Sequence, residues 1–329
     1  MKNTVFALLI LMALAACTLE GDVEAVLKKA GSGLHNWTAM ENSTFGNSNI
    51  TGIAYGDSRF VAVGWNGKMA YSDDGKNWTA VPDSTFDSGP FDAVRCIAYG
   101  GGLFVAGGND GRMARSSDGI SWTAVIDSRF EGNGVWCITY GGDRFIAGGA
   151  GGRMARSSDG INWSGIGGAV NRFDTESIHG IAYGGGRYVA VGGRGRMSHS
   201  INGESWTAVT NSPHGTGPTS ATYSIGYGGG YFISADNGYR MAYSNNGINW
   251  TTVTNSALDE VIINGIAHGG GRFVAGGSGG RMAVSSDGKN WTAVTNSAFG
   301  STRILSIAYG NGRFVAVGDD GKMAWADWR

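Results

Sequence analysis

The sequence predicts an all-β fold: a seven-bladed β-propeller with four antiparallel strands per blade, the last blade closed by the N-terminal strand. Three observations predict it. A segment of the type Ile-Ala-Tyr-Gly recurs seven times, successive copies lie 41 to 44 residues apart, and the two ends of the chain carry complementary parts of one repeat. A period of this length, with several short strands per unit, marks a ring of blades.

The copies begin at Ile53, Ile97, Ile138, Ile181, Ile225, Ile266 and Ile307. The first full repeat runs through Ile53-Ala54-Tyr55-Gly56, Arg59-Phe60-Val61-Ala62-Val63-Gly64 and Gly67-Lys68-Met69-Ala70-Tyr71-Ser72 to Asn77-Trp78-Thr79-Ala80-Val81. These segments predict strands a, b, c and d in turn. Gly-rich turns separate them, as at Gly100-Gly101-Gly102 and Gly184-Gly185-Gly186. Glycine makes up 59 of 329 residues and proline only four, which excludes a Pro-rich linker and fits many tight turns.

The ends argue for closure. Methionine opens strand c at 69, 113, 154, 197, 241, 282 and 323. Trp-Thr or Trp-Ser opens strand d at Trp37, Trp78, Trp122, Trp163, Trp206, Trp250 and Trp291. The chain therefore starts with an unpartnered strand d, Leu34 to Met40, and ends after a strand c, Met323 to Trp328. Joining the two completes a seventh blade and hides both edges, which would otherwise invite aggregation. An open solenoid is the alternative, and it would leave two uncapped apolar end faces.

The first residues read as a leader. Lys2 precedes an apolar run from Val5 to Leu14, which ends in Leu14-Ala15-Ala16-Cys17. That run is too short to span a bilayer. Small residues followed directly by cysteine resemble the bacterial lipobox, so residues 1–16 are expected to be cleaved, Cys17 acylated, and 17–33 left as a tether. An ordinary secretory signal with a chance cysteine is the alternative. The expected location is a bacterial membrane, periplasmic or cell-surface, held by lipid rather than by a spanning helix. Charge is nearly balanced, 25 Lys+Arg against 26 Asp+Glu, with no basic tail or stripe of the kind that nucleic acid attracts.

The segments Ser72-Asp73-Asp74-Gly75-Lys76-Asn77-Trp78, Ser116-Ser117-Asp118-Gly119-Ile120-Ser121-Trp122 and Ser285-Ser286-Asp287-Gly288-Lys289-Asn290-Trp291 resemble a shortened Asp-box, or BNR, hairpin of sialidase-like propellers. The resemblance covers Leu34 to Arg329. It implies a hairpin in which Asp and Gly make the c–d turn and Trp packs between blades. It specifies function poorly, because such propellers include glycosidases, assembly factors and receptors.

In an up-and-down blade, the d–a and b–c connections share one face. The d–a loops (41–49, 82–93, 126–134, 167–177, 210–222, 254–262 and 295–303) vary most, so the ligand face is expected there. Two residues before each strand-a isoleucine stand Thr51, Arg95, Trp136, His179, Tyr223, Asn264 and Leu305. This column changes chemistry in every blade, while the next one is always small: Gly52, Cys96, Cys137, Gly180, Ser224, Gly265 and Ser306. The changing column reads as a ligand-binding ring at the channel mouth, or alternatively as a loosely constrained channel plug. Cys96 and Cys137 occupy equivalent, non-facing positions and are expected to be free buried thiols. A second ring, Lys68, Arg112, Arg153, Arg196, Arg240, Arg281 and Lys322, opens strand c on the same face. It either attracts an anion or bonds nearby loop carbonyls and carboxylates, the latter being the simpler reading.

A sialidase-like enzyme would need clustered arginines, a Tyr–Glu pair and an acid. Arg95, Arg129, Arg172 and Arg303 stand on different blades, and no spacing pairs two carboxylates. The histidines at 35, 179, 199, 214 and 268 form no metal motif, and no metal or other cofactor is expected. The function expected is therefore a non-catalytic envelope binding protein for a glycan, a peptide or an envelope protein. The alternatives are a sialidase-like glycoside hydrolase or lyase, and an envelope assembly or scaffolding factor.

Overall fold

The Phe-Val-Ala-Val run of the first repeat has no polar position, which a strand needs only if one face meets water. In the computed structural model, Phe60, Val61, Ala62 and Val63 are all fully buried. Strand b is covered on both faces because blades stack face to face. Strand d lies at the opposite extreme. It is two residues long in most blades, as at Thr79–Ala80, and exposed. Short edge strands of this kind offer little template for pairing with another chain.

The structure describes residues 36–86, 89, 92–167 and 172–328. Cys17 and the segments read above as leader and tether lie outside the described residues. The propeller is the unit Trp37–Arg329. It contains seven four-stranded antiparallel sheets, each ordered a-b-c-d from the axis outward. Blade 1, for example, comprises Ile50–Gly56, Arg59–Gly64, Met69–Ser72 and Thr79–Ala80.

The seventh sheet joins both ends. Thr38–Ala39 pairs with Met323–Asp327, with Thr38 opposite Trp325 and Ala39 opposite Ala324. Met40 N–H extends the ladder to the Met323 carbonyl at 3.0 Å. Further contacts dock blade 7 on blade 1. The Arg313 guanidinium donates to the Asp74 carbonyl, and Asp320 N–H donates to Asn49 Oδ1 at 3.1 Å. Val315, Val317 and Met323 share one apolar cluster with Phe45, Ile50 and Phe60.

Two repeated contacts join successive blades. The hairpin tryptophan of each blade packs into the preceding blade: Trp122 with Val61 and Met69, Trp163 with Val105 and Met113, Trp291 with Ile233 and Met241. The hairpin glycine allows this approach. A Cβ on Gly119, which has φ +72°, would lie 2.6 Å from Val61. The second contact was not foreseen. The aromatic ring of each Tyr-Gly dipeptide lies on the glycine of the blade before, so that a Cβ at Gly56, Gly100 or Gly141 would sit about 2.0–2.1 Å from Tyr99, Tyr140 or Tyr183. The series continues through Tyr227, His268 and Tyr309 and closes with Tyr55 on Gly310.

The hairpins follow one hydrogen-bond scheme. Ser116 Oγ accepts from Gly119 N–H at 2.8 Å, and Asp118 Oδ1 accepts from Ile120 and Ser121 N–H at 2.8 and 2.7 Å. Partial burial alone would raise the Asp118 carboxyl, but these N–H groups and the Ser116 hydroxyl lower it to about 2. Asn202 and Asn246 make the same backbone bonds in blades 4 and 5 without a charge.

Candidate functional site: the channel mouth

The changing column owes its position to a defect in strand pairing. In every blade the a–b ladder slips by one residue near its start. Ile50 faces Gly64 and Gly52 faces Val63, so Thr51 is left over. The residues left over in the other blades are Arg95, Trp136, His179, Tyr223, Asn264 and Leu305. Each is the extra residue of a β-bulge, which leaves the ladder and re-aims its side chain.

The column after it is small for a steric reason. A Cβ on Gly52 would lie 3.5 Å from the Cys96 Cα, and one on Gly265 would lie 3.1 Å from the Ser306 Cα. Neighbouring inner strands run close together here. Three of the small residues turn a polar atom sideways to the next blade. Cys96 Sγ–H reaches the Val135 carbonyl at 3.6 Å, Cys137 Sγ–H the Ile178 carbonyl at 3.8 Å, and Ser224 Oγ–H the Ile263 carbonyl at 2.9 Å. The two thiols therefore do not face each other; both are free and buried. Burial pushes Cys137 up to about 12 and Cys96 well above the ordinary thiol value.

The seven bulged residues, the seven small ones and the seven isoleucines line one cavity of 460 Å³ in three tiers. The mouth is asymmetric. Trp136, His179 and Tyr223 form an aromatic arc over blades 3 to 5, with Trp136 and His179 stacked at 5.2 Å and Tyr223 edge-on to His179 at 5.1 Å. Burial lowers His179 to about 4, so the middle of the arc is uncharged at neutral pH. Arg95 is exposed, and its Nε–H donates to Asn109 Oδ1 at 2.8 Å. The Thr51 hydroxyl is already engaged with the Val63 and Val94 carbonyls. Asn264 Oδ1 is buried, with no hydrogen-bond partner. Leu305 completes the ring. Among the described residues, no carboxylate lines this cavity.

The strand-c cations lie farther out, and five of them meet the loop that enters their own blade. Lys68 Nζ donates to the Phe45 carbonyl at 2.8 Å, Lys322 Nζ to the Phe299 carbonyl at 3.1 Å and Arg281 to the Asp259 carbonyl at 3.4 Å. Arg153 pairs with Glu131 at 2.8 Å and Arg196 with Asp174 at 2.6 Å. Arg240 lies 3.9 Å from Asp236, and Arg112 is also engaged. These contacts favour loop fastening over a shared anion site.

The d–a loops, variable in sequence, hide a regular anchor. Ser43-Thr44-Phe45, Ser84-Thr85-Phe86, Ser128-Arg129-Phe130 and Ser297-Ala298-Phe299 each turn through a middle residue of positive φ and tuck the aromatic inward. Ser84 and Ser128 hydroxyls donate to the Gly67 and Gly111 carbonyls at 2.6 and 2.5 Å, which ties each loop to the b–c turn of the preceding blade. The loops and turns thus form one continuous face around the mouth. Blade 5 departs from the pattern: buried His214 replaces the aromatic, hydrogen-bonded to Ser234 Oγ at 2.8 Å and Asp236 Oδ2 at 3.1 Å. The sequence reading missed this trio, although all three residues break repeat columns.

The chain matches no family model and no curated protein. It is similar in structure to YCF48 from Cyanidioschyzon merolae, with 19% identity over 88% of this chain and 98% of that one, at a TM-score of 0.67. It is also similar to YCF48 bound to D1 peptide, at 17% identity, 90% and 95% coverage and a TM-score of 0.68. A catalytically inactive virginiamycin B lyase from Staphylococcus aureus with quinupristin aligns at 10% identity, 89% and 99% coverage and a TM-score of 0.73. These likenesses establish the propeller fold.

Proposed function

We propose that this protein is a non-catalytic binding propeller of the bacterial envelope, anchored by lipid at Cys17, whose channel mouth takes a peptide or a protein segment. One observation carries the reading: the seven residues that differ in every blade are the seven bulged residues around a single cavity. A packing role would favour repetition, as in the small and isoleucine tiers below. The arc of Trp136, His179 and Tyr223 offers rigid apolar faces. Paired-carboxylate glycoside hydrolysis has no acid among the residues lining this cavity. The likeness to YCF48 bound to D1 peptide supports a peptide over a glycan.

The test is to pan a random peptide library displayed on phage against the Cys17→Ser protein, then to titrate the selected peptides. Trp136→Ala and Tyr223→Ala should each weaken binding by about 1–3 kcal/mol if these residues are hot spots. Selection of no peptide, or of peptides indifferent to both substitutions, would defeat the reading.

A further inference from the structure

Blade 5 has rebuilt one edge of the ligand face. In the six other blades the b–c turn is closed by a backbone bond from the strand-c cation to the carbonyl three residues back: Lys68 to Trp65, Arg112 to Asn109, Arg153 to Ala150, Arg196 to Gly193, Arg281 to Ser278 and Lys322 to Asp319. The residue before each cation is glycine at positive φ: 67, 111, 152, 195, 280 and 321. Glycine is required there. A Cβ on Gly195, Gly280 or Gly321 would lie 1.9–2.2 Å from a carbonyl oxygen of the loop entering the next blade.

In blade 5 that position is Tyr239, at φ +65°. A tyrosine in the left-handed region is strained, and such strain persists only where its surroundings impose it. Here they do. Asp236 replaces the glycine that ends strand b in the other blades, and its Oδ1 accepts from both Gly238 and Arg240 N–H at 2.9 Å. Its other oxygen meets His214, which meets Ser234. Ser234 stands where the other blades have alanine, and His214 where five of them have phenylalanine. All three side chains are buried. Asn237 fixes the turn laterally, donating to the Thr219 carbonyl at 2.7 Å and accepting from Ala221 N–H at 3.0 Å. The turn is therefore held at Asp236 and Asn237, while Tyr239 remains 47% exposed.

The same trio invites comparison with a nucleophilic triad, but Ser234 is fully buried within strand b, out of reach of a substrate. Its geometry serves the turn instead. We infer that Tyr239 is a second binding residue of the ligand face, presented to a bound peptide by the buried Ser234–His214–Asp236 chain. This rests on the peptide reading above. Tyr223, on strand a of the same blade, is part of the aromatic arc, so blade 5 supplies an aromatic from its inner strand and another from its outer turn. A peptide chain leaving the mouth over blade 5 would meet Tyr239 through an apolar or cationic side chain, the partners a phenol face favours.

Peptides selected on the wild-type protein from the phage library test this. Tyr239→Gly restores the glycine of the other blades. It should leave the melting temperature unchanged or higher, yet weaken the selected peptides about tenfold. Tyr239→Phe should bind within about twofold of wild type, since the ring is kept. The combined His214→Phe, Ser234→Ala and Asp236→Gly variant, which restores the residues common in the other blades, should lose affinity like Tyr239→Gly while staying folded. Wild-type affinity in Tyr239→Gly, with Trp136→Ala and Tyr223→Ala still impaired, would overturn the role of Tyr239 and leave the mouth standing. A wild-type protein that selects no peptide would overturn both.

Discussion

Closure of the ring can be probed with one methyl group. A Cβ added at Gly310 would lie 2.1 Å from Tyr55 Cγ and 2.3–2.4 Å from the adjoining ring carbons. Carbon atoms pack best at about 3.5–4.0 Å, so the ring or the strand must yield by more than about 1 Å. Tyr55 cannot yield freely, because Phe60 lies at 4.6 Å between ring centroids. Overpacking of this kind costs about 1–3 kcal/mol, or a fall of roughly 2–5 °C in melting temperature for a domain of this size. Gly310→Ala should therefore be destabilised, by thermal and urea unfolding, about as much as Gly184→Ala. The latter meets Tyr227 at 2.1 Å between blades 4 and 5. Adding Tyr55→Ala to Gly310→Ala should cost less than the sum of the single changes, because the clash is gone. A Gly310→Ala protein as stable as wild type, beside a weakened Gly184→Ala, would refute the docking of blade 7 on blade 1.

Deleting residues 34–40 removes the strand paired with Met323–Asp327 and should yield an aggregating or much less stable protein, checked by size-exclusion chromatography and melting. Asp118 sits below its ordinary value of 3.8, so its contribution to stability is present above that pH and lost as the pH falls towards about 2; Asp118→Asn, which copies Asn202 and Asn246, should flatten acid unfolding in that window. Cys96 and Cys137, buried and raised in pKa, should resist a thiol reagent in the folded protein at pH 8 and react once urea is added; rapid labelling of native protein would contradict their burial. Cys17→Ser should abolish incorporation of labelled palmitate and release the protein from membranes, and labelling of the variant would count against the lipobox.

Blade number, strand order and the pairing of the two ends were legible because each rests on residues repeated at a constant interval. The changing column was legible as variation, but its cause was not. Thr51 or Trp136 protrudes because the ladder slips, and no residue type marks the slip. The Tyr-on-Gly ring was hidden for a related reason. Tyr-Gly is plain in each repeat, yet the contact joins the tyrosine of one blade to the glycine of another, as in Tyr55 with Gly310. The d–a loops looked unconstrained because the residues that follow each anchor differ in type and number, although Ser84, Ser128, Ser212 and Ser297 each stand 17 residues after the carbonyl they hold. His214, Ser234 and Asp236 each break a column, but they meet only through the fold, across 20 and 22 residues of sequence. The strand-c cations were read with two outcomes, and the choice depended on reach: Lys68 and Arg196 extend to loop atoms of their own blade.

The central claim is that ligand sits at the channel mouth. The most direct measurement is a crystal structure of the Cys17→Ser protein with a peptide selected from the phage library. The account predicts peptide density over the cavity, in contact with Trp136 and Tyr223. Density on the opposite face, at the a–b turns such as Gly101-Gly102, or along an outer strand d, with the mouth left open, would contradict it.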